Sequence, residues 1–412
     1  MNVRRARFLP RLSAGLAAFA ALGLSAGAGA SAPAGAAAPV PIVVRVFEGD
    51  RFVPDLGLKD FTIEEAGLPV SPEALFLVRK GTFERHEGRP DVQPDLSRRI
   101  VILFQLTEYD NKIQGALEFL FLKELLPTDT LEIQTPMHNY KLTAAALAAK
   151  PRDVLARELT RIVRKDIVEG GMAYNSALRD LKRYVRQIGG VGRTGLSDTE
   201  GEVNEGTSLE QQLMQYGEHL QQMESIRLVD EKKLVNFAEG MKTLNGQKLV
   251  FFIYQREFRP EINPQTLDIL VLNNQDRPDI LATLETLFSA YRRPVNLNRE
   301  PIIRAFADSG MSFNFLFMNR QPERVSGINM REQSEDVFKA LSDAAGATGG
   351  VTDTSQNAAV SMASALKATE SSYILYYTPS TAAPPGTFIN LKVSVRGKNY
   401  RVVYRAGYFT GS

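Results

Sequence analysis

The chain has 412 residues, with 49 Lys and Arg against 47 Asp and Glu, a formal charge of +2 and no cysteine. That length accommodates two domains, one with a sizeable core. Balanced charge excludes a global field for nucleic acid or anionic lipid, and the lack of thiols excludes a disulfide framework, a cysteine nucleophile and a thiolate metal site.

Residues 1–30 read as a signal peptide. Arg4, Arg5, Arg7 and Arg11 precede a small-apolar run from Leu12 to Ala30, which ends in Ala28-Gly29-Ala30. Residues 31–39, rich in Ala, Gly and Pro, read as a flexible spacer. Export to the periplasm or beyond is expected, with no integral membrane segment after signal cleavage, because no later run is long and apolar enough to span a bilayer.

Residues 40–84 predict a small β-module. Ile42 to Phe47 alternates as a strand, Glu48-Gly49-Asp50 turns, and Phe61 to Glu64 and Ala74 to Arg79 are extended, a pattern of short strands that suggests a sandwich. Residues 85–97, polar and broken by Pro90 and Pro94, form a linker.

At Arg98 the pattern changes. Ile100 to Phe104 is a continuous apolar run of the kind buried on both faces of a sheet, followed by a polar loop and an amphipathic helix from Lys112 to Leu126. A buried strand, a polar loop at its carboxyl end and a helix mark the place where open α/β sheets carry binding sites. Strands follow at Thr130 to Thr135 and, at the edge, Tyr140 to Thr143. Helices are predicted from Arg152 to Ile167 and from Asn175 to Ile188. A helical insert, about 194–245, combines an acidic loop, a capping box at Thr207 and Glu210, and a long helix to Leu244. Lys248 to Tyr254 is the next central strand. A helix from Thr266 to Tyr291, broken near Pro278, another at Arg299 to Ser309 and a strand at Ser312 to Met318 come next. A helix at Glu335 to Ala345, a short strand at Gly349 to Thr352, a helix at Ala358 to Ala368 and a strand at Tyr373 to Tyr377 complete the series. Strands alternating with helices predict a doubly wound, mostly parallel α/β domain over 98–380. In residues 381–412, Phe388 to Val395 and Tyr400 to Arg405 are expected to pair as a C-terminal hairpin.

Four stretches together resemble bacterial von Willebrand factor A-related exported proteins of acidobacterial type. They are Leu58-x-Asp60-Phe61, the strand starting at Arg99, Gly246-Gln-Lys-Leu-Val-Phe-Phe252, and Tyr373-Ile-Leu-Tyr-Tyr-Thr-Pro379 followed by Arg405-Ala-Gly-Tyr-Phe409. The resemblance implies a von Willebrand factor A-like sheet and a metal-ion-dependent adhesion site, where Asp-x-Ser-x-Ser, a loop Thr and a second Asp give oxygens to a hard cation. This chain departs from that pattern. The first Asp falls on Gln105, the two Ser on Thr107 and Tyr109, the Thr of the Gly-rich loop on Met172 after Gly171, and the second Asp on Gln255. Amides and a thioether do not replace two carboxylates around Mg²⁺, so the inherited site is expected to bind no metal. Glu108, Asp110 and Glu257 lie close enough in sequence to rebuild one. The same loops would bind a protein partner without metal through Gln105, Thr107, Glu108, Tyr109, Gly171, Met172, Tyr174, Gln255, Arg256 and Glu257.

Enzymatic signatures are thin. His86, His138 and His219 have no nucleophile elbow beside them, and no phosphate loop, H-E-x-x-H or G-x-G-x-x-G occurs. The expected protein is an exported, non-enzymatic, cofactor-free interaction module. A cell-envelope scaffold that works by β-strand addition is the alternative, and a hydrolase with carboxylates that cannot be placed ranks third.

Overall fold

The computed structural model describes residues 39–191, 208–227, 230–292, 297–325, 327–355, 357–380, 383–397 and 399–411. The expected signal peptide, nearly all of the expected spacer, the acidic loop and Thr207 of the expected capping box lie outside the described residues.

The apolar runs singled out in the sequence meet in one six-stranded sheet. Its order is Thr352–Asp353, Met311–Met318, Gln247–Gln255, Arg98–Gln105, Thr130–Gln134 and Asn139–Leu142. The first five run parallel and the last is antiparallel. Side chains alternate across it, as a period of two requires. Ile100, Ile102, Phe104, Phe251 and Ile253 pack beneath helices Lys112–Phe119, Arg152–Gly170 and Ala358–Thr369. Val101, Leu103, Val250, Phe252 and Phe313 pack beneath Glu231–Lys242, Arg299–Asp308 and Glu335–Ala347. Covered on both faces, these strands tolerate the uninterrupted hydrophobic runs seen in the sequence. Arg98 opens its strand by gripping the fully buried Asp129 with two nitrogens, at 3.0 and 2.6 Å.

The remaining strands correct the expected fold class. The chain is a mixed α/β protein, not a doubly wound, mostly parallel domain with a separate β-module in front and a hairpin behind. Parallel pairing is confined to the sheet just described, and every other ladder among the described residues is antiparallel. The amino- and carboxyl-terminal segments interleave. Ser371–Tyr377, read from sequence as the last strand of the α/β domain, lies instead between Val40–Glu48 and Ala74–Arg79, antiparallel to both. Thr82–Gly88 extends this sheet from Ala74–Arg79, into residues read as linker. Val40–Glu48 changes partner along its length, pairing through its second half with Arg401–Val403 and Arg51–Phe52, which curls the sheet.

The expected terminal hairpin does not form. Phe388–Val395 pairs with Phe61–Glu65 and Gly407–Phe409 in a second sheet, while Arg401–Val403 joins Val40–Glu48. The reason is burial: Leu391 and Val393 need the apolar face formed by Phe61, Ile63, Ile42, Val44, Leu75 and Tyr373. Between the sheets, the fully buried Glu65 accepts from Tyr408 Oη at 2.5 Å, Tyr377 Oη at 3.2 Å and Ser380 N at 2.9 Å.

A third core lies in a helical layer made of Met172–Val191, Leu209–Arg227, Pro264–Asn273 and Pro278–Arg292, with an antiparallel ribbon of Phe258–Ile262 and Ile328–Glu332 that the sequence did not disclose. The long helix expected up to Leu244 is two, Leu209–Arg227 and Glu231–Lys242, which serve different cores. Buried Arg259 holds the ribbon to the helices. It donates to Glu261 at 2.6 Å and Glu224 at 3.1 Å, and its guanidinium lies over the Tyr291 ring.

Tyr377→Phe is expected to lower the unfolding free energy by about 1–3 kcal/mol, the cost of removing a donor from a buried carboxylate. Tyr376→Phe, whose hydroxyl makes no described hydrogen bond, is expected to be neutral to within about 0.5 kcal/mol. Urea titration of both variants is the check.

Candidate functional site: the carboxyl ends of the central strands

Arg98–Gln105 and Gln247–Gln255 run in register, Gln105 opposite Tyr254, so their carboxyl ends and following loops lie side by side. The Gln255 side chain bridges them. Its Oε1 accepts from Thr107 N at 3.3 Å, Thr107 Oγ1 at 3.2 Å and Glu108 N at 3.2 Å. A third segment closes on the same loop. Asn175, near the start of Met172–Val191, donates from Nδ2 to Thr107 O at 2.9 Å. Gly171 joins that helix to Arg152–Gly170 at a point where a Cβ would sit 2.2 Å from Thr107 O, so the approach is possible only without a side chain.

Beside this knot is an open cleft of about 380 Å³. Glu108, 45% exposed at its side chain, pairs across it with Arg320 at 2.8 Å. The Tyr109 ring lies beneath the Arg164 guanidinium, its hydroxyl is buried without a hydrogen-bond partner, and burial pushes its pKa up. Asp110 Oδ1 accepts from Lys112 N at 2.8 Å, closing a local turn just ahead of the helix.

The ten residues singled out from sequence are therefore brought together only in part. Gln105, Thr107, Glu108, Tyr109, Gly171 and Gln255 converge. Met172 is next to them in sequence and 58% exposed. Tyr174 is buried and turned inward, donating to Phe258 O at 3.3 Å. Arg256 is spent on Glu332 and Asn319, both at 2.9 Å. Glu257 is buried, and its backbone N–H donates to Ser334 Oγ at 3.4 Å. Glu108, Asp110 and Glu257 thus have separate engagements, and among the described residues no group of three or more His, Asp or Glu is placed to hold a metal ion.

Sequence reasoning missed Arg320, Asn319 and Asn175. The first two directly follow Met311–Met318, so the rule that sites form at strand carboxyl ends, applied to this third strand as well, would have found them. It also missed Asp166, 3% exposed, which accepts from Thr135 Oγ1 and Tyr140 Oη, both at 2.7 Å, and lies 3.1 Å from His138 Nδ1. Thr135 Oγ1 is turned to that carboxylate and not to the imidazole, so the cluster braces a turn and does not form a nucleophile–base pair. His86 stacks on Phe76, and His219 Nδ1 is 2.9 Å from Gln215 O.

Fold and site together define a mixed α/β protein whose strand-end face is tied up by its own neutral side chains. No protein-family model matches the chain, and no curated protein matches it. A structure match is to human COPII-coat protein Sec24c, at 9% identity and a TM-score of 0.27, over 82% of this chain and 46% of that one. The chain thus spans less than half of that protein, and a likeness so slight carries no argument about fold or function.

Gly171→Ala is expected to cost about 1–3 kcal/mol, because backbone must move away from Thr107. Gly189→Ala, in the helix that Gly171 introduces and with open space around its Cβ position, is expected to be stabilising by up to about 1 kcal/mol. Chemical denaturation of the two variants measures the contrast.

Proposed function

We propose that this chain is an exported, non-enzymatic binding protein that holds a protein partner on the carboxyl-end face of its central strands without a metal ion. The observation that carries the reading is the Gln255 knot. The Thr107 hydroxyl, which a cation would need as a ligand, donates its proton to Gln255 Oε1, and that oxygen already accepts from three donors. A neutral amide in that role gives a divalent ion neither a carboxylate nor a free lone pair.

What is left on this face suits a protein surface. There is a polar cleft, an aromatic ring in its wall, a solvent-reached Glu108–Arg320 pair able to exchange partners, and exposed Met172 close by in sequence. Export is supported by the leader pattern of residues 1–30. Strand addition is the weaker reading. The edge strand Thr82–Gly88 carries Glu84, Arg85, His86 and Glu87 and a bulge, all of which discourage pairing with another chain.

Affinity capture from an envelope extract tests the proposal when wild type is compared with the double variant Met172→Asp, Arg320→Glu, each with and without EDTA. Wild type is expected to retain the same specific protein in EDTA, and the double variant to lose it by about tenfold or more. Capture that disappears on chelation, or that survives the double substitution unchanged, contradicts it.

A further inference from the structure

The opposite end of the parallel sheet, where the strands begin, abuts the antiparallel sheets, and a cleft of about 620 Å³ lies between them. Four cations line it: Lys242, which pairs with Asp308, and three from distant parts of the chain, Arg45 in Val40–Glu48, Lys248 at the start of Gln247–Gln255, and Arg405 shortly before Gly407–Phe409. Arg45 is 5% exposed and Lys248 8%.

None of these last three has a described carboxylate within ion-pair distance. Arg45 donates to Gly349 O and, at 3.5 Å, to Ser312 Oγ. Lys248 Nζ is fixed by three carbonyls, Met241 and Leu244 at 3.0 Å and Ser309 at 2.6 Å. Half-buried Arg405 donates to Pro41 O at 3.0 Å, its guanidinium lies 5.6 Å from the centroid of the Tyr408 ring, and its Nε is buried with no hydrogen-bond partner. The one acid well placed to compensate, Asp308, is already committed to Lys242 at 2.5 Å and to Phe409 N at 2.8 Å. Asp95, also on the wall, is exposed and caps Ser97 N at 2.7 Å. Burial holds Lys248 down at about 8 and Arg45 at about 10, and lowers Arg405 as well.

Buried cations without a counter-charge are costly, and fixed carbonyls orient an ammonium without neutralising it. The gap between two of these charges is moreover kept open. Gly310, at φ +66°, has its Cβ position 3.7 Å from Lys248 Nζ and 3.8 Å from Arg405 Nη1, so a side chain there would fill the notch that both cations face. Pro41, Val43, Met311, Ile374 and Tyr376 give the rest of the wall an apolar character.

We infer that this cleft is a binding site for a small organic phosphate, with Arg45 and Arg405 donating to the phosphate oxygens, Lys248, whose three donors are held by carbonyls, adding its positive charge, and the apolar wall receiving the body of the molecule. Guanidinium forks and an ammonium point charge are the usual recognition groups for phosphate. The volume falls among those of small-molecule sites and exceeds what a bare ion needs. The site lies at the other end of the sheet from the Gln255 knot, so it stands or falls independently of the proposed partner face.

Calorimetric titration of the full chain with phenyl phosphate and with inorganic pyrophosphate tests the inference, with chloride at matched ionic strength as the control. Saturable binding is expected together with a raised melting temperature, and Arg405→Gln is expected to weaken binding by about tenfold or more. The same variant should leave the melting temperature of the unliganded protein unchanged or higher, since it removes an uncompensated charge; a purely structural Arg405 would lower it. No heat and no melting shift in the wild type beyond the chloride control, or equal affinity in Arg405→Gln, overturns the inference. The wild-type titration decides the matter alone if the variant does not fold.

Discussion

The insertion of Ser371–Tyr377 between Val40–Glu48 and Ala74–Arg79 is the constraint on which the rest of the structure depends. Tyr373, Leu375 and Tyr377 are fully buried there. The strand is anchored beyond its ladders, since Tyr373 Oη donates to Val53 O at 2.7 Å, 320 residues away in sequence. Burial of that hydroxyl pushes its pKa up to about 12, so it remains a donor throughout the physiological range. Closing so long a loop has an entropy cost, but one that grows only logarithmically with length, and a strand with its whole apolar side buried repays it.

Because both ends of the chain build one antiparallel unit, the parallel sheet is held from outside at its amino ends. Arg45 reaches into that junction from Val40–Glu48 to Gly349 O, and Phe409 N is tied to Asp308 at the end of a sheet-covering helix. The carboxyl ends at the opposite side meet the ribbon of Phe258–Ile262 and Ile328–Glu332 and the start of Met172–Val191 instead. There the loops must satisfy one another, and Gln255, Asn175 and Gly171 all converge on Thr107 to do so. One sheet therefore presents a cleft lined by cations at its amino ends and a knot of loops around Thr107 at its carboxyl ends.

Much of this was legible in the sequence where a single local rule sufficed. The runs Ile100 to Phe104 and Lys248 to Tyr254 could only be buried strands, and the loops after them, singled out together in the sequence, lie side by side. The overall architecture was not legible, because the partners of Tyr373–Tyr377 and Phe388–Val395 lie hundreds of residues away and alternating apolar residues do not name a partner. Alternation likewise could not show that Arg256 and Glu257 turn into the ribbon beyond the strand, since Phe258–Ile262 carries Arg259, Pro260 and Glu261 and does not read as a strand. Arg45 and Lys248, isolated cations within apolar runs, were passed over as ordinary strand residues. Only the three-dimensional convergence with Arg405 gives them a common purpose.

In the proposed function the strand-end face works with its own amide, hydroxyl and backbone donors and not through a cation. Calorimetric titration of the protein with Mg²⁺, Mn²⁺ and Ca²⁺, paired with melting curves in the presence and absence of chelator, tests it most directly. No binding heat and superimposable melting curves are expected. Saturable micromolar binding of any of the three ions, abolished by Glu108→Gln or Asp110→Asn, would show that Gln255 releases Thr107 to a metal and would contradict it.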